Sequence, residues 1–148
     1  MECIKYERLT QKDLEQVIDL YDKERPVRTE KIKAKEAFEN IMENPEYILL
    51  VAKIETEVIA FAKMEIHQDI FENCKPYMTV WSVRVKEKYR RKKVGTNLFK
   101  QVEKMAEEKG CEFFCLLAEK ENKAANHFYK SLGYELVNGY LKSIERKK

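Results

Sequence analysis

The chain has 148 residues, 44% of them hydrophobic, which predicts a single domain with one sizeable core. Its 29 basic and 26 acidic residues are interspersed and give a net charge of only +3, so composition alone predicts neither a nucleic-acid-binding protein nor one for acidic substrates. No signal peptide is visible and no apolar run approaches the ~20 residues of a membrane span, which favours a cytoplasmic protein.

The first third of the chain predicts one strand followed by two helices. Residues Cys3–Leu9 alternate in polarity as a strand does, and Thr10 then looks like a helix N-cap, with Asp13 able to reach back to it. Pro26 ends this first helix, and a second helix is predicted over Thr29–Met42. Its expected core-facing side chains are Ile32, Ala37, Phe38 and Ile41.

The middle of the chain predicts three strands and a long helix. Tyr47–Ile54 and Val58–His67 flank a short polar connection and are expected to form an antiparallel hairpin, after which Met78–Val85 is a further strand. Val94–Lys109 has the periodicity of an amphipathic helix, and Gly110 is its expected C-cap. The apolar stripe of this helix comprises Val94, Leu98, Val102, Met105 and Ala106.

The next predicted strand, Glu112–Ala118, carries an uninterrupted apolar centre, which is typical of a strand covered on both faces. Cys111 and Cys115 would lie roughly 13 Å apart along it, too far for a disulfide. Neither a Cys-x-x-Cys pair nor a clustered His accompanies them. We therefore expect reduced, buried, structural cysteines and no metal site.

The end of the chain predicts a short helix over Asn122–Ser131, which Gly133 stops, and a final hairpin. The strands of this hairpin are Leu136-Val137 and Tyr140–Ile144, joined by an Asn138-Gly139 turn. The element order β-α-α-β-β-β-α-β-α-β-β describes a single α/β (α+β) domain over residues 1–148, built on a mixed sheet.

One segment, Tyr89–Thr96 with the sequence Y-R-R-K-K-V-G-T, points to phosphate binding. It opens the long helix, whose first backbone N–H groups lack internal partners and whose dipole favours an anion. Gly95 removes a side chain where a phosphate would approach most closely, and four consecutive cations surround the same place. A solvated basic turn or a nucleic-acid patch would also explain this segment, so all three interpretations stay open at this point.

A second segment, Asn122–Tyr134, makes the interpretation specific. Together the two segments resemble the GNAT superfamily of N-acetyltransferases, whose signatures are Arg/Gln-x-x-Gly-x-Gly/Ala after a strand and Asn-x-x-Ala-x-x-Phe-Tyr-x-x-x-Gly-Phe. The first signature is matched by Arg90 and Gly95, and Lys93 replaces its first glycine. The second is matched, with Tyr134 in place of Phe, by Asn122, Ala125, Phe128, Tyr129 and Gly133.

This resemblance implies a GNAT-type fold, with a mixed, mostly antiparallel central sheet flanked by helices, and acetyl-CoA as co-substrate. The cofactor would lie where the fourth and fifth strands splay apart, with its pantetheine arm on backbone groups of the fourth strand and its pyrophosphate on N–H groups of the basic turn. The residues expected to bind it are Val83, Arg84, Val85, Arg90, Arg91, Lys92, Lys93, Val94, Gly95, Thr96, Asn122 and Tyr129.

The resemblance also implies direct attack of a neutral primary amine on the thioester in a ternary complex. An alkyl amine has a pKa of about 10.4 and must first lose a proton, so a base would help. Tyr129 matches the family's general acid, which protonates the departing thiolate, although packing within the helix is its other possible role. N–H donors near Val83 would stabilise the oxyanion. The base is not identified, because Trp81 occupies the family's Glu position. Candidates are Ser82, Glu65 and His67.

Acceptor specificity is expected from the first two helices, their connection, and the loop between the third and fourth strands. Candidate residues there are Tyr21, Arg25, Arg28, Phe71 and Tyr77. The expected partner is a small-molecule or peptide amine, with a homodimer permitted and neither nucleic acid nor membrane expected. Lys93 and Trp81 motivate an alternative, a non-catalytic acyl-CoA sensor. Nucleic-acid binding through Lys86–Lys93 is disfavoured, because no aromatic platform interleaves with the cations.

Overall fold

The computed structural model describes residues 2–144 of the chain. Residues 2–117 form one compact unit and residues 118–144 form a second. The elements of the first unit are β1 (Lys5–Arg8), α1 (Leu14–Asp22), α2 (Lys31–Ile41), β2 (Tyr47–Ile54), β3 (Glu57–His67), β4 (Tyr77–Val85), α3 (Val94–Glu108) and β5 (Phe114–Leu116). The second unit contains α4 (Lys123–Ser131). No helix within residues 2–144 is long and apolar enough to cross a membrane.

The five strands of the first unit form one mixed sheet in the order β1-β2-β3-β4-β5. The first four strands pair antiparallel, and β5 pairs parallel to β4. This is the mixed, mostly antiparallel sheet flanked by helices that the sequence predicts. The β2–β3 hairpin has the expected pairing, with Leu50 opposite Ala62.

Apolar side chains cover both faces of this sheet, because alternate residues of β2 and β3 point to opposite sides. On one face, α1 and α2 contribute Val17 and Phe38 to a cluster with Val51 and Phe61 of the sheet. Helix α3 packs on β3 and β4. Four of the five residues of its predicted apolar stripe are buried. Phe99 is also buried, and the prediction omitted it. The four confirmed positions are Val94, Leu98, Val102 and Ala106.

The inward side of α2 differs from the predicted one. Phe38 is buried and Ala34 is partly buried against the same cluster, whereas Ile32 is 77% exposed and Ala37 is also exposed. Ile32 lies roughly 120° around the helix from Phe38, so a helix that buries Phe38 turns Ile32 to solvent. The prediction for Ile32 and Ala37 was therefore wrong.

A buried ion pair replaces the predicted capping interaction between Thr10 and Asp13. Thr10 makes no side-chain capping hydrogen bond, and the Asp13 carboxylate instead accepts from Lys53 Nζ at 2.7 Å. The side chains of Lys53 and Asp13 are only 6% and 4% exposed, and Glu7 adds a second carboxylate 3.3 Å from the ammonium group. The hydrogen bond to Asp13 raises the pKa of Lys53. This pair fixes the start of α1 to the sheet.

Replacing Asp13 with Ala should lower the free energy of unfolding by about 3–5 kcal/mol, because it leaves the buried Lys53 ammonium group without its nearest partner. The matched variant is Glu7→Ala, which removes the half-exposed carboxylate and should cost about 1 kcal/mol or less. Urea denaturation of both variants measures the two losses. Equal losses would show that burial of the pair does not set its contribution.

The fifth strand is shorter and more exposed than predicted. It covers three residues, Phe114–Leu116, and the flanking Phe113 and Leu117 are each 50% exposed. Cys115 is exposed and Cys111 is half-buried, with burial raising the pKa of the Cys111 thiol. The predictions of a strand covered on both faces and of buried cysteines were wrong, because only the centre of the apolar run joins the ladder.

The predicted final hairpin is also absent, since residues 135–144 contain no strand. Asn-Gly and alternating apolar residues favour a hairpin only when its apolar side is buried, because two isolated strands are marginal in water. Here the apolar side chains of the segment are 74% to 101% exposed. They are Leu136, Val137, Tyr140, Leu141 and Ile144.

Candidate functional site

A β-bulge interrupts β4 in its second half. Trp81 lies opposite Lys63 and Val83 lies opposite Ala62, so Ser82 is an extra residue on the β4 side. Ser82 has φ 51°, a left-handed conformation that side chains other than glycine seldom adopt. The extra residue changes which face of the sheet the following side chains of β4 occupy. It also changes which edge of the strand their backbone groups face.

The second half of β4 has an open backbone edge. Strand β5 pairs only with Met78–Val80, and no other strand of residues 2–144 occupies this edge. The Lys86 N–H donates to Ile59 O of β3 at 2.8 Å. Because successive residues alternate in direction, Val85 and Val83 present their N–H and C=O groups to the open edge. An extended ligand arm can pair there as an added strand would.

Two arginine side chains already contact this edge. Arg84 donates to Val83 O at 2.9 Å, and Arg90 Nε donates to Val85 O at 2.9 Å. Each carbonyl keeps a second lone pair, and each residue keeps its N–H donor for a ligand. The Arg84 guanidinium lies 5.2 Å from the centre of the Tyr21 ring, so this side chain contacts α1 as well.

The basic turn after β4 is fastened to the sheet at its start. The Glu57 carboxylate accepts from Lys86 Nζ at 2.9 Å and from Tyr89 Oη at 3.0 Å. The hydrogen bond from Lys86 is the main cause that lowers the pKa of Glu57. Arg90 adds an ion pair with Glu24 at 2.6 Å, and this bond lowers the pKa of Glu24. Arg90 therefore holds the turn against β4 and the end of α1.

The turn leads into the N-terminus of α3, which has no side-chain cap. Lys93 is the N-cap residue and makes no capping hydrogen bond through its side chain. The N–H groups of Val94, Gly95 and Thr96 are the first of the helix, so they have no acceptor within it. Arg91, Lys92 and Lys93 are exposed around them. Together, the free N–H groups, the helix dipole and the cations fit a diphosphate.

Lys93 has φ 65° and ψ 13°, which explains why a glycine is expected at this position. The left-handed conformation costs a residue with a Cβ about 1–2 kcal/mol. Arg91 has a similar φ of 61°. The backbone of the turn thus keeps the shape of a glycine-containing turn, and Lys93 adopts it at some cost.

Lys93→Gly should leave the free energy of unfolding unchanged or raise it by up to about 1 kcal/mol, because relief of strain is partly offset by the extra freedom of glycine in the unfolded chain. Lys93→Val should lower it by about 1–2 kcal/mol, since a β-branched residue tolerates positive φ poorly. Chemical denaturation measures both. A valine variant as stable as the glycine variant would contradict the left-handed conformation.

The candidate bases lie on β3 and β4, where a threonine that the sequence did not single out connects two of the residues considered. The Trp81 indole N–H donates to Thr79 Oγ1 at 3.1 Å, and His67 Nε2 lies 2.8 Å from the same oxygen. Glu65 lies opposite Thr79 in the ladder. Alternation along β4 places Thr79 and Trp81 on the same face of the strand, and this pattern could have identified Thr79 from the sequence.

Asp22, at the end of α1, holds the connection between α1 and α2 in which acceptor-side residues were predicted. Its carboxylate accepts from the Thr29 backbone N–H at 2.8 Å and from Thr29 Oγ1 at 2.7 Å, and these bonds lower the pKa of Asp22. Arg25 lies 5.5 Å from the centre of the Tyr21 ring. Arg28 donates to Asp22 O at 3.3 Å. Hydrogen bonds to Asp22 therefore hold the connection between α1 and α2 against the end of α1.

The second unit carries the remaining predicted residues on and beside α4. Asn122 caps this helix, since its Oδ1 accepts from the Ala125 N–H at 3.0 Å. The Tyr129 ring contacts the Tyr134 ring edge-on, with centroids 6.1 Å apart. The roles of Asn122 and Tyr129 toward a cofactor stay predictions. Within residues 2–144, no group of three His, Cys, Asp or Glu side chains is placed to hold a metal ion.

The family and the structural relatives of the chain follow from comparison with known proteins. Residues 14–134 match the model of the acetyltransferase (GNAT) family, and no curated protein matches the chain. A transcriptional regulator from Bacillus halodurans C-125 superposes with a TM-score of 0.89 at 23% identity, covering 97% of this chain and 100% of its own.

Two acetyltransferases share the fold at similar identity. An aminoglycoside N-acetyltransferase in complex with CoA has a TM-score of 0.83 at 19% identity, covering 99% of this chain and 97% of its own. Glucosamine-6-phosphate N-acetyltransferase from Arabidopsis thaliana has a TM-score of 0.77 at 22% identity, covering 99% and 98%. With most of its length matched by the family model, the chain belongs to the GNAT family of acetyltransferases.

Proposed function

We propose that this chain is a single acetyl-CoA-dependent N-acetyltransferase domain that acts on a primary amine of a small molecule or peptide. The observation that supports this most is the succession of a bulged strand with an open edge and a helix N-terminus without a side-chain cap. An extended amide arm and a diphosphate are the two parts of CoA that these features would bind. The solved acetyltransferase that holds CoA shares this fold.

In this proposal most of the residues that hold the cofactor belong to the first unit. The N–H groups of Val83 and Val85 pair with the pantetheine arm, and those of Arg91–Thr96 hold the pyrophosphate. Arg84 and Arg90 act by fixing the strand and the turn, because their side chains bond Val83 O and Val85 O. Asn122 contacts the pantetheine side.

The chemistry consists of one bond formed and one broken. The amine nitrogen bonds to the thioester carbon, the carbon–sulfur bond breaks, the amine loses a proton and the thiolate gains one. N–H donors near Val83 stabilise the charge on the carbonyl oxygen, and Tyr129 donates the proton to the thiolate. The base stays one of Ser82, Glu65 and His67, or a water molecule that one of them holds.

A small-molecule amine is the acceptor class we favour over a peptide. Two solved relatives are an aminoglycoside and a glucosamine-6-phosphate N-acetyltransferase, and both names describe small amines. Only the broad class is proposed for this chain, and not their particular substrates, because the two relatives are 19% and 22% identical to it.

Release of free thiol from acetyl-CoA in the presence of a panel of primary amines tests the proposal. Amine-dependent release, with the acetylated amine identified by mass, supports it. CoA-dependent thermal stabilisation without release on the whole panel would instead favour the non-catalytic acyl-CoA sensor. Steeply salt-dependent binding to DNA or RNA without CoA binding would favour the nucleic-acid alternative.

A further inference from the structure

One aromatic ring on the α1 side of the sheet carries two arginine side chains. Tyr21 of α1 is partly buried against the apolar cluster under that helix, which holds its ring in place. The Arg25 guanidinium lies over this ring, 5.5 Å from its centroid, and the Arg84 guanidinium lies over it at 5.2 Å. The two positive charges are therefore at most roughly 11 Å apart and repel each other.

Neither of these arginines has a carboxylate partner. The ion pairs formed among residues 2–144 include neither Arg25 nor Arg84. The carboxylate of Glu24 is engaged with Arg90 at 2.6 Å. The hydrogen bond from Arg90 is the main cause that lowers the pKa of Glu24, and the charge of Arg84 contributes to the shift. Contact with an aromatic ring uses the flat face of a guanidinium, so most of its N–H donors stay available for an anion.

Arg84 uses little of its hydrogen-bonding capacity. Its Nη1 donates to Val83 O at 2.9 Å, whereas its Nε is buried and has no hydrogen-bond partner within the described part of the chain. A guanidinium has five N–H donors, and a buried donor without an acceptor is unfavourable. One hydrogen bond and one ring contact thus position the side chain, and an anion can supply acceptors that the protein itself does not.

The Arg84 guanidinium lies close to the proposed reaction centre. It bonds the carbonyl oxygen of Val83, near which backbone N–H groups are proposed to stabilise the oxyanion. Arg84 is opposite Phe61 in the ladder, and Phe61 belongs to the apolar cluster under α1, so the Arg84 side chain leaves β4 on the α1 side. A charge-assisted hydrogen bond is about 2.8 Å long and an attacking amine approaches its carbon to about 3–3.5 Å. A molecule that spans both places therefore needs only a few bonds between its anionic group and its nitrogen.

The charge around this place favours an anion over additional cations. Residues 22–28 contribute three cations and two anions, and Arg84 and Arg90 add two more cations. Both anions are engaged, Asp22 by two hydrogen bonds from the loop and Glu24 by its ion pair with Arg90. An acceptor with several ammonium groups is repelled by such a surface, whereas an acceptor that carries an anion is attracted to it.

We infer that the acceptor is a primary amine that carries a carboxylate or a phosphate a few bonds from its nitrogen. Arg84 pairs with this anionic group directly, and the charge of Arg25 strengthens the attraction. We call these two side chains the arginine pair. Both determine specificity, and neither takes part in proton transfer. The inference rests on the proposed function and names the substrate class for the same site.

Matched acceptors test the inference. The anionic probes are 4-aminobutanoate and 3-aminopropyl phosphate, and the neutral probe is butylamine, which keeps the amine and the chain length of 4-aminobutanoate. Thiol release from acetyl-CoA should give a kcat/KM roughly tenfold or more higher for the better anionic probe than for butylamine, since a hydrogen bond to a charged group is worth about that factor. The preferred anionic probe identifies the group as carboxylate or phosphate. Equal kcat/KM for all three would overturn the inference.

Variants assign the preference to the arginine pair. Arg84→Gln should bring the ratio of kcat/KM for the anionic and neutral probes close to one, and Arg25→Gln should lower this ratio by roughly threefold. The control is Lys23→Gln, which removes an exposed cation from the same end of α1 and should leave the ratio unchanged. Because the ratio is taken within each variant, a smaller folded fraction does not alter it. A ratio lowered as far by Lys23→Gln as by Arg84→Gln would contradict the arginine pair.

Binding separates failure of this inference from failure of the proposed function. In the presence of CoA, which cannot donate an acetyl group, isothermal titration should show roughly tenfold tighter binding of the better anionic probe than of butylamine. Such binding without any thiol release from acetyl-CoA would contradict the proposed function and leave the arginine pair supported. Thiol release that is as fast with butylamine as with the anionic probes would contradict the arginine pair alone.

The 3′-phosphate of CoA is the competing occupant of the arginine pair. Affinities of CoA and dephospho-CoA for the Arg84→Gln and Arg25→Gln variants distinguish the two. We expect each variant to treat the two cofactors alike, because the pair serves the acceptor. Weaker binding of CoA with unchanged binding of dephospho-CoA would place the cofactor's phosphate on the arginine pair and would overturn the inference.

Discussion

Gly95→Glu should weaken acetyl-CoA binding by roughly a hundredfold or more. Gly95 lies in the first turn of α3, between the N–H groups of Val94 and Thr96 that are proposed to hold the pyrophosphate. A glutamate there adds bulk at the closest approach of the phosphates and sets a negative charge against two more, which costs several kcal/mol. Isothermal titration with acetyl-CoA measures the loss.

Two further substitutions separate this effect from misfolding and from net charge. Gly95→Ala should raise the stability of α3, because alanine favours a helix by about 1 kcal/mol over glycine, and any loss of affinity in it is then due to the added Cβ. Gly139→Glu adds the same charge where a new Cβ would meet nothing within 4 Å, and affinity should be retained. If Gly95→Glu kept wild-type affinity, the basic turn would not be the pyrophosphate site.

The sheet and the long helix were predictable because their apolar patterns are regular. Strand β2 was predicted with its observed bounds, and β3 and β4 each gain one residue at their start. Helix α3 begins at Val94 as predicted, since the change from cations to a periodic apolar stripe marks the boundary. These elements position the candidate site, so its place in the fold followed from the sequence.

The side-chain partners within the site were not predictable from spacing. Arg90 was expected at the cofactor, yet its guanidinium bonds Val85 O and Glu24, which lies 66 positions away in the chain. Asp13 was expected at a helix cap and instead pairs with Lys53, 40 positions away. Contacts of this kind depend on how strands and helices meet in space. A periodic pattern indicates which face of an element is buried and leaves its polar partners open.

The C-terminal predictions failed for a different physical reason. A short apolar run predicts a strand only if a neighbouring surface covers it, and the sequence does not say which surface that is. Phe113 and Leu117 have the composition of a buried strand and are half exposed. A buried strand requires both a local apolar pattern and a distant part of the chain that covers it. A single sequence shows only the local pattern.

Tyr129→Phe should lower turnover by roughly 10²–10⁴-fold while changing acetyl-CoA affinity little. The variant removes one hydroxyl, which is the proposed proton donor to the departing thiolate, and keeps the ring that contacts Phe128 and Tyr134. Steady-state thiol release gives turnover, and titration with CoA gives affinity. A loss confined to turnover marks an interaction made in the transition state rather than in the bound complex.

Tyr134→Phe is the matched control, because it removes the same hydroxyl from the ring that touches Tyr129 and installs the residue that the family signature carries there. Its turnover should stay near that of the unmodified chain. If the phenol of Tyr129 served only to pack α4, both variants would show small and similar effects on turnover and on stability. Unchanged turnover in Tyr129→Phe would remove Tyr129 as the acid and would leave water as the proton source for the thiolate, since a thiolate with a pKa of about 8.5 is a modest base that solvent can protonate.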